Sequence, residues 1–257
     1  MSEHRVAIIT GAARGIGRAT AKKLHQDGFA LVLSGRSRDE LESLESELSG
    51  SAVVLGDIRE EAMPATLVST AMESFGRLDA LVNAAGIAKM APLLEIDLET
   101  WQSFFDLHVT ATFRCGQAAA KAMVEKDDGG SIVNIGSIAA SMAMYGTGAY
   151  AAAKGAVASF SRVFAVELAS YKIRVNTVAP GPVATEQLRK VLEGPKYAER
   201  SRSIPMNRLA EPAEVAELIA FLVSPASQYI TGQTFTIDGG ASAVGAYSYE
   251  TYKRQAP

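Results

Sequence analysis

Short runs that are apolar at nearly every position alternate along the chain with longer stretches in which apolar residues return every three or four places. The continuous runs are RVAIIT (5–10), FALVLS (29–34), AVVLGD (52–57), LDALVN (78–83), SIVNIG (131–136), IRVNTVA (173–179) and TFTID (234–238). The helical periodicity falls at 15–27, 38–48, 60–75, 99–125, 149–170 and 212–223. A strand with no polar alternation is buried on both faces, which is the signature of a parallel sheet. Strand–helix alternation then builds βαβ units with right-handed crossovers. The pattern predicts an α/β fold: a doubly wound parallel sheet of about seven strands with helices on both faces. No repeat, low-complexity tract or linker divides the chain, so residues 1–257 are expected to form one domain. The longest stretch without periodicity, about 181–211, is expected to be irregular, as is the tail after Gly240.

Composition narrows the function classes. Hydrophobic residues make up 48% and charged residues 21% of 257, which suits one large α/β core. Lys plus Arg number 25 against 28 Asp plus Glu, for a net charge of -3, so no basic excess points to nucleic acid. The single cysteine, Cys115, cannot form an internal disulfide and is expected in the core. The apolar run near the N-terminus is too short for a signal peptide or a membrane span, so a cytoplasmic protein is expected.

Ligands of doubly wound sheets sit beyond the carboxyl ends of the strands. The sequence TGAARGIG (10–17) stands at the first such end and opens the first helix. Gly11, Gly15 and Gly17 allow a tight turn and close backbone approach, and the helix N-terminus attracts phosphate. The turn is therefore a candidate Rossmann-type dinucleotide site, with G-x-x-x-G-x-G spacing instead of the usual G-x-G-x-x-G, although a plain strand–helix turn would also use such glycines. Strand two ends LSGRS, with Gly35 where an acid would select NAD by binding the ribose hydroxyl. Arg36 follows, and Arg14 lies inside the glycine turn; two guanidiniums suit a 2′-phosphate, so NADP(H) is expected to be preferred, with NAD(H) possible. Asp57, ending strand three, is a candidate acceptor for the adenine amino group, with Ile58 beside it.

The stretch GAYAAAK (148–154) is nearly blank apart from Tyr150 and Lys154, which are four apart and so share a helix face. A phenol titrates near 10 in water. An ammonium about 5 Å away would favour phenolate by roughly 3 kcal/mol, about two pKa units, which makes a usable general acid and base. Ser137 closes strand five, thirteen positions before Tyr150.

With these residues in place the chain resembles the short-chain dehydrogenase/reductase family. The matching phrases are TGAARGIG (10–17), NAAG (83–86), Ser137, Tyr150 with Lys154, PGPVAT (180–185) and TGQTFTIDGG (231–240), nearly the whole chain in order. The resemblance implies that Tyr150 exchanges a proton with the substrate oxygen and Ser137 hydrogen-bonds that oxygen. It implies that Lys154 holds the nicotinamide ribose and lowers the tyrosine pKa. Ile16, Asn83, Ala84 and Gly86 would adjoin the cofactor, and Pro180, Gly181, Val183 and Thr185 would support its nicotinamide end. Met142, Met144 and Tyr145, with Ser137 and Tyr150, would shape the substrate site together with the segment 181–211. Family members commonly assemble as dimers and tetramers; the Ala-rich helices predict a homotetramer. No metal is implied.

The chain departs from the family in one place that bears on proton transfer. The family carries asparagine in a V-N-x-x-G phrase, where it holds a water that links the lysine to solvent; here LHVTA (107–111) puts His108 there. Imidazole also donates and accepts, so His108 is a candidate catalytic group as well as a candidate core histidine. The segment after the Pro-Gly carries Arg189, Lys190, Lys196, Arg200, Arg202 and Arg208 against Glu186, Glu193 and Glu199, which suits either a solvated helix face or an anionic substrate. The family's 3-oxoacyl carrier-protein reductases often read G-x-x-N-Y, whereas this chain reads GTGAY (146–150). A sugar, polyol, hydroxy acid or other small alcohol or carbonyl compound is therefore favoured. A 3-oxoacyl carrier-protein reductase and a non-catalytic NADP-binding module remain open.

Overall fold

A computed structural model describes residues 4–191 and 194–244. Seven strands form one sheet: β1 (Val6–Thr10), β2 (Ala30–Gly35), β3 (Ala52–Leu55), β4 (Ala80–Asn83), β5 (Gly130–Ile135), β6 (Ile173–Pro180) and β7 (Thr234–Ile237). Their order is β3-β2-β1-β4-β5-β6-β7 and every pairing is parallel. The predicted doubly wound fold is the observed one. Strands that are largely apolar explain it: β1 and β4 are buried along their full length, so both faces need cover.

Alternate side chains fill two layers. Ile8, Leu81, Ile132 and Val175 face α3 (Met63–Phe75) and α5 (Ala111–Lys126). Ile9, Val82, Val133 and Val178 face the other way, under α1 (Gly15–Gln26), α2 (Arg38–Glu47) and α9 (Pro212–Val223). Cys115 lies in the first layer, and burial pushes its thiol up to about 12, so it is an inert core residue. The chain order reverses between β1 and β4, which opens a crevice at the carboxyl ends of those strands.

Two sequence expectations need correction. The helix expected over 99–125 is broken into α4 (Leu98–Phe105), a π-helical turn Asp106–Thr110, and α5. The extra residue in that turn aims His108 inward, where it is 1% exposed. The segment 181–211 is not irregular; it holds α7 (Glu186–Val191) and α8 (Pro195–Arg202). Both are too short to show periodicity, and they are held by packing of Leu188 and Tyr197 onto Ala184, Ile204 and Leu209. The long helix α6 (Gly148–Leu168) carries Tyr150 and Lys154. Residues 241–244 form a turn; the rest of the tail lies outside the described residues. Among the described residues no helix is long and apolar enough to cross a membrane.

Candidate active site

The crevice is a cleft of about 610 Å3 running from the glycine turn to the start of α6. Gly11 has φ +66°, and a Cβ there would lie 2.7 Å from the Ala85 backbone, so only glycine lets β1's turn meet the NAAG turn so closely. Thr10 Oγ1 ties the same turns together by accepting from the backbone N–H groups of Ala84 (3.1 Å) and Ala85 (3.2 Å). No side chain caps α1 at Arg14, so the first amides of that helix point into the cleft mouth unsatisfied.

The cleft wall contains Gly11, Arg14, Gly15, Ile16, Gly17, Arg36, Asp57, Ile58, Ala84, Gly86, Tyr150, Lys154 and Thr185 from the sequence reading, and also His108. Asn83 is behind the wall. Its side-chain amide donates to Asn134 Oδ1 at 2.8 Å, and that residue donates to Ser161 Oγ at 2.9 Å, a buried chain linking β4, β5 and α6. Pro180, Gly181 and Val183 also stand behind it: the backbone N–H of Gly181 donates to Ile237 O, and Val183 bridges to Ala210. Met142, Met144 and Tyr145 lie on the segment joining Ser137 to Tyr150, outside the cleft wall.

At the α6 end, Tyr150 stands edge-on to a stacked pair of rings, His108 (centroids 5.4 Å apart) and Phe104 (6.4 Å). Burial raises its phenol above the usual value near 10, and a hydrogen bond with Ser137 opposes the rise. Lys154 is buried and its Nζ donates to Ile135 O at 2.6 Å; burial lowers its pKa to about 7. Nζ lies 5.8 Å from the Tyr150 ring centroid. The expected lowering of the phenol by the ammonium is thus absent here. Desolvation is the largest cause for both groups, raising the acid and lowering the base.

His108 Nε2 pairs with Ile87 O at 2.9 Å, and because a carbonyl only accepts, Nε2 carries the proton. Nδ1 is then an acceptor, and it is buried with no hydrogen-bond partner. A Cβ on Gly86 would be 3.1 Å from Nδ1 and 3.9 Å from Lys154 Nζ, so the two atoms flank one point. Burial first, and then the Lys154 charge, push His108 down to about 3; it is neutral at ordinary pH.

The other end of the cleft is ionic. Arg14 pairs with Glu40, a residue the sequence reading missed; its position in the first turn of the helix after Arg36 was the available signal. Asp57 binds Arg59 through both oxygens (3.0 and 2.6 Å) and lies 3.7 Å from Arg36, and these cations hold its carboxyl down to about 2. Asp57 is therefore already engaged in the ligand-free chain.

The family model described as enoyl-(acyl carrier protein) reductase matches residues 11–242. A 3-oxoacyl-[acyl-carrier-protein] reductase of Synechocystis sp. is 40% identical over 242 residues, covering 92% of this chain and 96% of the relative. The chain belongs to the short-chain dehydrogenase/reductase family. A cis-4-hydroxycyclohexanecarboxylate dehydrogenase of Sinomonas cyclohexanicum is 39% identical over 244 residues, covering 93% and 97%. Among solved structures, a putative gluconate dehydrogenase from Agrobacterium tumefaciens superposes with a TM-score of 0.89 at 31% identity, over 94% of this chain and 97% of the other. The protein is an oxidoreductase of this family acting on CH–OH groups.

The family's nicotinamide dinucleotide cofactor, NAD(P), fits the residues present. The glycines leave backbone room at the turn, the uncapped α1 amides suit a pyrophosphate, and the open Nδ1 and Nζ lie at the opposite end. Among the described residues no cluster of potential metal ligands occurs.

Proposed function

We propose that this enzyme interconverts a secondary alcohol and a carbonyl on a small molecule with NADP(H), using Tyr150, Ser137 and Lys154. The observation that carries the reading is the convergence of Tyr150 and Lys154 at one end of the cleft that the glycine turn opens, with Ser137 hydrogen-bonding Tyr150 from outside the cleft wall. When bound, the nicotinamide supplies or accepts the hydride. Tyr150 Oη donates its proton to the carbonyl oxygen in reduction and takes it back in oxidation, while Ser137 Oγ hydrogen-bonds the same oxygen. Lys154 Nζ orients the ribose hydroxyls. The chain works as one domain, with 181–211 as its substrate segment. Substrates favoured on the sequence are sugars, polyols, hydroxy acids or other small carbonyl compounds, and two relatives named for carboxylic acids add to that reading. The second reading, a 3-oxoacyl carrier-protein reductase, is supported by the 40% identical relative.

Preference for NADP(H) is supported by Arg14 and Arg36 at the cleft mouth and by Gly35, which offers no carboxylate. The 2′-phosphate would take Arg14 from Glu40, exchanging an exposed ion pair of small net value for a charge-assisted one. Wild type is expected to show the higher kcat/KM with NADPH. A Cβ at Gly35 meets only side-chain carbons, the nearest 3.3 Å away, so Gly35→Asp fits and should reverse the preference by repelling the phosphate. A higher kcat/KM with NADH in wild type refutes this assignment.

His108 is proposed as the relay group between Lys154 and solvent, with Nδ1 accepting a hydrogen bond from a water held by Nζ. On that account His108→Asn keeps substantial kcat and His108→Leu loses considerably more, with little change in cofactor affinity. Because His108 titrates near 3, neither variant should remove a limb near pH 6.5. A kcat for His108→Leu equal to or above that of His108→Asn makes it a packing residue.

A homotetramer is supported by apolar side chains left exposed on the helix layer and beside β7: Phe113, Val163, Val166 and Tyr171 on one side, Phe221 and Tyr229 on the other. Light scattering should give four times the 27.1 kDa chain mass. A monomer at micromolar concentration contradicts it.

A further inference from the structure

The cations of the substrate segment fall into three kinds. Arg189 binds Glu211 at 2.8 Å, Arg208 holds Glu214 through both oxygens at 2.7 Å, and Lys190 binds Glu186 at 2.6 Å. Lys196 and Arg202 are exposed and solvated. Among the described residues, Arg200, on α8, has no ion-pair partner, and it is not fully in water either. It is half-buried, and among the described residues its guanidinium makes one side-chain hydrogen bond, from Nη2 to Met144 Sδ at 3.8 Å. A thioether is a weak acceptor without charge and cannot compensate a partly desolvated cation.

The place of that contact gives it meaning. Met144 lies on the short segment that runs from Ser137 to Tyr150, and its carbonyl accepts from the Thr147 hydroxyl at 2.8 Å just before α6 begins. Arg200 therefore reaches over from α8 to the strip of chain between the two residues that hold the reacting oxygen. The surface beside that strip is apolar. The loop before α4 docks on it through Ala91 N donating to Gly146 O at 2.7 Å, and leaves Met90 and Leu93 exposed beside Gly146 and Gly148. Met206, just beyond α8, is exposed as well. Among the described residues, such a site has one fixed charge, apolar neighbours and no carboxylate bonded to that charge.

We infer that Arg200 is the substrate's carboxylate anchor, and that the enzyme acts on an oxo acid or hydroxy acid whose body between the two functional groups is apolar. Guanidinium and carboxylate match in bidentate geometry, and partial burial strengthens the pair over a surface one. The same features disfavour a sugar or polyol, which would need several hydroxyl partners where Met90, Leu93 and Met144 stand. The inference rests on the oxidoreductase reading above and deepens it.

The test is reduction of 4-oxopentanoate, 6-oxoheptanoate and 4-oxocyclohexanecarboxylate, each beside its methyl ester, followed by NADPH consumption. Wild type should favour at least one acid over its ester by about tenfold or more in kcat/KM, as a charge-assisted hydrogen bond implies. In Arg200→Leu that ratio should collapse toward one, with the loss on the acid mainly in KM. Arg200→Lys should restore part of it, since it returns the charge without the fork. Esters reduced as well as acids, or an acid-to-ester ratio unmoved by Arg200→Leu, overturn the assignment. Reduction of neutral ketones or of a 3-oxoacyl thioester, with none of the acids accepted, overturns it too and leaves the oxidoreductase reading standing. Failure to reduce any carbonyl compound removes both.

Discussion

Tyr150→Phe should fold, bind NADPH as tightly as wild type and lose turnover by about 100- to 10,000-fold, the range that a positioned general acid–base group supplies. The hydroxyl is the only atom removed. The ring keeps its edge contacts with His108 and Phe104, so the aromatic box and the start of α6 persist. Lys154 keeps its bond to Ile135 O, which does not involve the phenol. Because burial raises the Tyr150 phenol, wild-type alcohol oxidation, which needs the phenolate, should climb with pH well into the alkaline range, and reduction should fall there. A Tyr150→Phe enzyme within about threefold of wild type would remove Tyr150 from the chemistry.

Lys154→Met should abolish turnover and at the same time raise thermal stability. Lys154 is 5% exposed and has no carboxylate partner among the described residues; burial holds its pKa near 7 against 10.5 for the free side chain. Between those values the unfolded chain binds more protons than the folded one, so stability rises with pH across that window. Below it, the buried ammonium weighs against folding in full. Methionine has similar length and carries no charge to desolvate, although it leaves Ile135 O without its donor. The net gain should be about 2–6 °C in Tm at pH 7, and it should shrink between about pH 7 and 10 as the unfolded chain's hold on the extra proton weakens toward 10.5. Turnover should drop by about 100-fold or more. A variant that melts lower than wild type at pH 7 would show that the Ile135 bond outweighs the burial of the charge. Residues retained at a cost to stability are the ones a function requires.

What the sequence revealed and what it hid divide along physical lines. The inner strands, buried on both faces, leave uninterrupted apolar runs, and the edge strands β3 and β7 keep short apolar runs of their own, so the sheet and its seven members were legible. Tyr150 and Lys154 were legible because helical spacing fixes their shared face, and the glycine turn because close backbone approach admits no side chain. The π-helical turn at Asp106–Thr110 was not, since one added residue barely disturbs a helical pattern. Neither were α7 and α8, which owe their order to tertiary anchoring at Leu188 and Tyr197. Charge pairing was the least legible part. Six cations between Arg189 and Arg208 look alike in sequence; the fold gives carboxylates to Arg189, Lys190 and Arg208 and leaves Arg200 against a thioether. The same holds for Glu40 on Arg14 and for Arg59 on Asp57. The sign of the Tyr150 shift also depended on burial, which spacing does not report.

The central claim is hydride exchange between NADP(H) and a carbonyl carbon, with Tyr150 as the proton donor. It is tested most directly by incubating the enzyme with a reducible carbonyl compound and NADPH deuterated at the transferable nicotinamide position, then locating the label by mass spectrometry and NMR. The account predicts an alcohol carrying one deuterium on the new carbinol carbon, formed by Tyr150→Phe at least about 100-fold more slowly than by wild type. Cofactor oxidation without label on that carbon, or equal labelling by the two proteins, would contradict it.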